Sequence, residues 1–114
     1  MNGEFIINSE LVNNDTLIMR TDGYINNVGG EKIVDEYTQY EPQGVNRVVI
    51  DLQKSKVVNS IGVSYLIEVI ERLSRTNGKM IFTNLDPTIE KTFRIMGLFQ
   101  FAEKAESLES AMIA

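Results

Sequence analysis

The residues best suited to chemistry lie in the stretch VVNSIGVSYL, residues 57–66, where Asn59 and Ser60 precede Gly62 and a long apolar segment. One interpretation is structural: Asn59 or Ser60 caps a helix by accepting from an unpaired backbone N–H, and Gly62 allows close packing. The other is functional, because a serine hydroxyl at such a turn is a site that another protein can modify. Residue types alone favour the cap, since Ser and Asn are common N-cap residues.

Asp51 is a second candidate, because it follows the apolar run VVI as the phosphoacceptor aspartate does in response-regulator receivers. Receivers also carry an acidic pair after their first strand to hold magnesium. Here the first predicted strand is followed by NSELVNND instead. We therefore expect Asp51 to end its strand and to tie down a neighbouring loop.

Composition argues against most enzymatic functions, because the chain of 114 residues has no His and no Cys. Without them there is no thiol nucleophile, no Ser-His-Asp triad, no disulfide and no ordinary zinc site. Glu68 and Glu71 could act as an acid–base pair, but they stand among charges of both signs, as on a solvated helix face. We expect no enzymatic activity, no cofactor and no metal.

The formal net charge of −5 argues against nucleic acid and anionic membranes as partners, since both attract clusters of Lys and Arg. A basic or neutral protein surface fits better. The start, MNGEFIINSE, has no basic leader region, and no window approaches the length of a membrane span. These features predict a cytoplasmic protein.

The hydrophobic pattern predicts one α/β domain over residues 1–114, with helices packed on a mixed sheet and an N-terminal β-hairpin. The hairpin turns at NND, and GGEK lacks the spacing of a phosphate loop, so it is interpreted as a flexible helix entry. The order is β-β-α-β-α-β-α-β-α. Strands are predicted at about 5–8, 16–20, 45–52 and 79–85 and within 99–105, and helices within 26–40, 60–77, 86–99 and 107–114.

The helix at 60–77 has the clearest signal, because its apolar residues recur at helical spacing. It is expected to end at a cap formed by Asn77 and Gly78. Asp86 and Ser107 are the predicted N-caps of the two helices that follow. The predicted core positions of the 60–77 helix are Val63, Leu66, Ile67, Ile70 and Leu73.

The whole chain, from about residue 4 to 113, resembles the STAS domain, and specifically the stand-alone anti-sigma factor antagonists of bacteria. The resemblance is carried by VVIDL, then VVNSIGVSYLIEVIERLSRTNGKMIFTNL, then IEKTFRIMGLFQFAEKAESLESAM. Its most specific part is the family's [DN]-S-x-G turn, which leads from a strand into a long helix. This turn corresponds to residues 59–62.

The resemblance implies that Ser60 is the serine phosphorylated by a partner kinase. Asn59 takes the place of an aspartate that often precedes that serine. Ile61 stands where many relatives carry a second Ser or Thr, and Asn26 stands where an aspartate is often implicated in partner contact. The residues expected to bind the partner are Asn26, Asn59, Ser60, Ile61, Gly62 and Ser64.

The implied function is that of an anti-sigma factor antagonist. Its unphosphorylated form would bind an anti-sigma factor that is also a serine kinase and so release the sigma factor. Phosphorylation of Ser60 would end that binding, and a phosphatase would reverse the modification. The alternative is a STAS scaffold or ligand-binding module, never phosphorylated, within a signalling or transport assembly.

Overall fold

A five-stranded mixed sheet forms the centre of the computed structural model, which describes residues 4–114. The first two strands form the predicted antiparallel hairpin, and the remaining neighbours are parallel. Their spatial order equals their order in the chain. The strands are β1 Ile6–Val12, β2 Thr16–Asp22, β3 Arg47–Lys54, β4 Lys79–Thr83 and β5 Glu103–Ala105.

Among residues 4–114, four helices cover the two faces of this sheet unequally. Alternate residues of the central strands point to opposite faces, as strand geometry requires. Val48 and Ile50 of β3 share a large core with the first three helices, whereas Val49 joins a small cluster with Ala111 of the last one. The helices are α1 Asn27–Tyr40, α2 Ser60–Ser74, α3 Pro87–Ile95 and α4 Leu108–Met112. The predicted α/β class and element order are confirmed.

Helix α2 buries the face that its sequence predicts. Val63, Leu66, Ile70 and Leu73 are buried in the large core, and Ile67 is partly buried against it. Val69 is also buried, although it was not among the predicted core positions. Contacts of α2 with both β4 and α1 cover a wider part of the helix surface than the predicted positions span.

The predicted ends of the later helices are also found. Asn77 adopts a left-handed φ of 59°, and the N–H of Gly78 donates to the Leu73 carbonyl at 2.8 Å, which closes α2 as expected. Asp86 caps α3 through the N–H of Thr88, and Ser107 caps α4 in a capping box with Ser110. No helix within residues 4–114 is long and apolar enough to cross a membrane.

Candidate functional site

Two strand-to-helix loops lie side by side at one end of the sheet. Because β2 and β3 are parallel neighbours, their C-terminal ends, and the loops that follow them, lie at the same end. The N–H of Ile25 donates to the Val57 carbonyl at 3.0 Å, and the N–H of Asn59 donates to the Ile25 carbonyl at 3.2 Å. The result is a parallel bridge between Ile25 and Val58. We call residues 24–29 and 57–62 the paired helix entrance.

Both helices at this entrance are capped by an asparagine. The Asn26 Oδ1 accepts from the N–H groups of Val28 and Gly29, both at 3.0 Å. The Asn59 Oδ1 accepts from the N–H of Gly62 at 2.8 Å. Of the two residues predicted as possible caps for α2, Asn59 therefore has that role, which leaves the Ser60 side chain without it.

The glycines of the entrance stand where a side chain has no room. A Cβ atom on Gly62 would lie 2.0 Å from the Ile25 carbonyl oxygen, and one on Gly29 would lie 2.6 Å from the Tyr24 carbonyl oxygen. The predicted packing role of Gly62 is thus confirmed. The interpretation of GGEK as a flexible helix entry is wrong, because Gly29 and Gly30 are buried inside α1 and pack closely.

Ser60 is the first residue of α2, and its side chain is exposed. Within residues 4–114, the Ser60 hydroxyl makes no hydrogen bond. The neighbouring serines differ. Ser64 is exposed but donates to the Ile61 carbonyl at 2.6 Å, and Ser55 is fully buried with its hydroxyl 2.7 Å from that of Thr21. Of these three, Ser60 alone is both accessible and unengaged.

Four exposed apolar side chains belong to the entrance, and we call them the apolar rim. Only one of them, Ile61, was identified from the sequence. The side chains are exposed although they are large and hydrophobic: Tyr24 by 43%, Val28 by 50%, Val57 by 52% and Ile61 by 52%. Exposed apolar clusters of this kind mark contact surfaces. The signal in the sequence was weak, because an apolar residue beside a turn can equally point inward.

The electrostatics of the entrance favour a negative group. Neither α1 nor α2 has an acidic side chain in its first turn. Each helix N-terminus carries a partial positive charge that stabilises a nearby anion. An anion attached at Ser60 would therefore lie at the positive end of α2, with no carboxylate in the first turn of either helix.

The far ends of α1 and α2 are held together by Arg72. Its guanidinium pairs with Glu41 just after α1 and with Glu68 at 3.4 Å, and it lies 5.1 Å from the centre of the Tyr37 ring. The hydrogen bond from Arg72 lowers the pKa of Glu41, and burial raises the pKa of Tyr37. This cluster links the C-terminal ends of the two helices whose N-terminal ends form the entrance.

Asp51 does not end its strand as predicted, because β3 continues to Lys54, but the predicted anchoring of a neighbouring loop is found. The Asp51 Oδ1 accepts from the Asn84 Nδ2 and from the backbone N–H of Gln53, both at 3.0 Å. Only 9% of Asp51 is exposed. Asn84 follows β4 with a left-handed φ of 56°, so the carboxylate holds the loop between β4 and α3 in place.

Comparison with known proteins agrees with this architecture. The chain is 28% identical over 98 residues to BtrV of Bordetella bronchiseptica, assigned as an anti-sigma factor antagonist, and the match covers 86% of this chain and 84% of BtrV. The unphosphorylated form of the anti-sigma factor antagonist SpoIIAA superposes with a TM-score of 0.81, at 24% identity over 94% of this chain and 93% of SpoIIAA. The phosphorylated form of SpoIIAA, a Bacillus cell fate determinant, superposes with a TM-score of 0.74, at 22% identity over 95% of this chain and 97% of SpoIIAA.

The family comparison is direct. The model of the STAS domain matches residues 9–111, nearly the whole chain, and this range includes both halves of the paired helix entrance. The resemblance inferred from the turn at residues 59–62 is thereby confirmed. The chain belongs to the STAS domain family.

Proposed function

We propose that this protein is an anti-sigma factor antagonist that is switched off by phosphorylation of Ser60. Its membership of the STAS family supports the proposal, as does its similarity to BtrV, which is assigned as such an antagonist. SpoIIAA, whose fold this chain shares, exists in a phosphorylated and an unphosphorylated form. The proposed partner is an anti-sigma factor with serine kinase activity.

The observation that carries the proposal is the separation of two roles between adjacent residues. Asn59 caps α2, so the exposed hydroxyl of Ser60 is free to accept a phosphoryl group. Modification at Ser60 would leave the cap bond between Asn59 and Gly62 in place. The domain is therefore expected to stay folded in both states, as a reversible switch requires.

The residues proposed to bind the partner contribute in different ways. Ile61 belongs to the apolar rim, and Ser60 and Ser64 are exposed polar groups beside it. Asn26 and Asn59 fix the two helix ends, while Gly62 is buried and lets the two loops approach. A partner that packs on the rim would therefore bury the Ser60 hydroxyl at the same time.

Phosphorylation would weaken such a complex strongly. A phosphoserine adds about −1.5 to −2 charges at neutral pH. An uncompensated charge in an interface costs about 3 to 5 kcal/mol, and about 1.4 kcal/mol corresponds to tenfold in affinity. We expect a loss of about two to three orders of magnitude in affinity. The protein itself would act without catalysis, metal or cofactor, and a phosphatase would restore the binding form.

The test is to incubate the purified protein with an anti-sigma factor kinase from the same organism and ATP. The modified residue is mapped by mass spectrometry, and partner affinity is measured by calorimetry before and after modification. Ser60→Ala should keep binding and lose phosphate acceptance. Ser60→Asp should stay folded and bind poorly, although one carboxylate imitates a phosphate only in part.

Ser64→Ala is the matched control, because Ser64 is a second exposed serine on the same helix. It should still accept phosphate at Ser60. Phosphate found at Ser64 or Ser55 instead, or equal partner affinity in both states, would contradict the proposal. A protein that binds its partner but never accepts phosphate would act as the unmodified STAS scaffold.

A further inference from the structure

The two edges of the sheet are protected very differently. The β5 edge has only three residues, and its two charged side chains are both paired, Glu103 with Lys79 and Lys104 with Glu90. The β1 edge has seven residues, Ile6–Val12, with Glu10 as its only charged side chain and no proline. Within residues 4–114, β1 pairs with β2 alone. Long edges without charge or proline tend to pair with another strand.

The sequence of β1 is nearly symmetric about Ser9, and this symmetry selects a partner. In IINSELV, an antiparallel pairing of two copies centred on Ser9 places Ile6 opposite Val12 and Ile7 opposite Leu11. In this pairing, residues that point to the same face of the sheet lie opposite each other, so both faces continue from one copy to the other. Apolar pairs would flank a polar centre.

The centre of that pairing holds a polar group without a partner. The Ser9 Oγ is buried and has no hydrogen-bond partner among the described residues. Buried hydroxyls are normally paired, because leaving one unpaired costs free energy. In the pairing centred on Ser9, the two Ser9 residues lie directly opposite each other, and a rotation about χ1 would bring each hydroxyl out of the core to bond the other.

Charge selects the same register. The pairing centred on Ser9 puts Glu10 of one copy opposite Asn8 of the other. Asn8 already lies beside Arg20 of its own chain. Each Glu10 would then lie near two Arg20 side chains, of which its own is 3.2 Å away. A shift by one residue on each strand would set Glu10 against Glu10 or against Ile6, which is less favourable.

We infer that β1 pairs antiparallel with β1 of a second copy of this chain, about a two-fold axis at Ser9. The two sheets would join into one continuous sheet across the axis. This surface lies on a strand outside the paired helix entrance, and the inference does not depend on phosphorylation.

Opposing charges beside the edge set the conditions of the pairing. Asp35 and Glu36 of α1 line a groove along the start of β1, together with Lys32, whose ammonium donates to the Phe5 carbonyl at 3.1 Å. Two copies of α1 would bring their acidic groups towards each other. Screening by salt weakens this repulsion, and it also weakens the attraction between Glu10 and Arg20 across the axis.

The first experiment uses cysteine pairs, which are unambiguous because the natural chain has no cysteine. Asn8→Cys and Glu10→Cys are made separately at two exposed positions. Under mild oxidation only the mixture of the two should give a disulfide-linked dimer, because residues 8 and 10 face each other across the axis. Equal cross-linking of either variant alone would overturn the register.

The second experiment measures the dissociation constant by sedimentation over a wide range of protein concentration. Asn8→Glu places a carboxylate opposite Glu10 of the other copy, and Asn8→Lys places an ammonium there. Since the symmetry repeats each pair twice, Asn8→Glu should weaken and Asn8→Lys should strengthen the dimer, each by about 2- to 30-fold. Circular dichroism checks that both variants fold. A monomer at every concentration, or the same affinity for both variants, would overturn the inference.

Discussion

Gly62→Ala tests whether close contact between the two loops holds the paired helix entrance together. The new Cβ would lie 2.0 Å from the Ile25 carbonyl oxygen and 2.7 Å from its carbonyl carbon. Both are backbone atoms, held by the bridge between Ile25 and Val58. Neither atom can rotate away as a side chain could, so one of the loops must move.

The change in the free energy of unfolding caused by Gly62→Ala is the sum of two effects of opposite sign. Alanine in place of glycine inside a helix stabilises it by about 1 kcal/mol. Overpacking a well-packed site costs about 1 to 3 kcal/mol, and a clash between backbone segments belongs near the upper end. We expect a net loss of about 1 to 2 kcal/mol, which lowers the melting temperature by about 4 °C or more.

The measurement is a thermal and a urea unfolding curve for Gly62→Ala, with Ser64→Ala as the control. Ser64 is exposed on the same helix, so its replacement should change stability little. The variant at Gly62 should also accept phosphate at Ser60 more slowly, because the loop that presents Ser60 has moved. A Gly62→Ala protein as stable as the parent would refute the argument, since helix propensity would then have outweighed the contact.

Further predictions concern the core, the cap and acid stability. Leu66→Ala should lower the free energy of unfolding by about 2 to 5 kcal/mol in urea titrations, because Leu66 is fully buried; an unchanged curve would contradict the core assignment. Asn59→Ala should cost about 1 kcal/mol whereas Ser60→Ala should cost almost nothing, and thermal melts that rank them in reverse would assign the cap to Ser60. The pKa of Glu41 is lowered by its hydrogen bond from Arg72, so this pair stabilises the fold above the carboxyl's ordinary pKa, and the stabilisation is lost as pH falls through the lowered value. Arg72→Gln should remove that part of the acid dependence in melts recorded from neutral to acidic pH, and an identical pH profile would refute it.

Local patterns predicted most of the fold because their causes are local. The helical spacing from Val63 to Leu73 specified one face of α2, and Asp86 and Ser107 marked helix starts through bonds that span three residues or fewer. Their partners stand within the same segment of sequence. Boundaries were less accurate, as with β1, which extends to Val12 rather than to Asn8.

The paired helix entrance could not be predicted in the same way, because its contacts join segments more than thirty residues apart. One feature of the sequence does indicate the entrance, but it was not used in the sequence analysis. Residues 25–29, INNVG, and 58–62, VNSIG, repeat the same order of an apolar residue, an asparagine, a polar residue, a β-branched residue and a glycine. In both segments the asparagine side chain caps the helix by accepting from the N–H of that glycine. Whether the rim residues point outward depends on the whole fold.

This repeat bears on the proposed switch, because it offers the kinase one hydroxyl at the entrance and not two. Asn27 and Ser60 occupy the same place, the first residue after an asparagine cap, at two helix ends joined by a bridge. Both places favour an anion, but only a hydroxyl can take a phosphoryl group, and the amide of Asn27 cannot. Asn27→Ser would therefore put a second hydroxyl in an equivalent local setting. If local geometry alone selects the site, the kinase should modify both residues; if modification stays at Ser60, the kinase must read the segment around α2 as well.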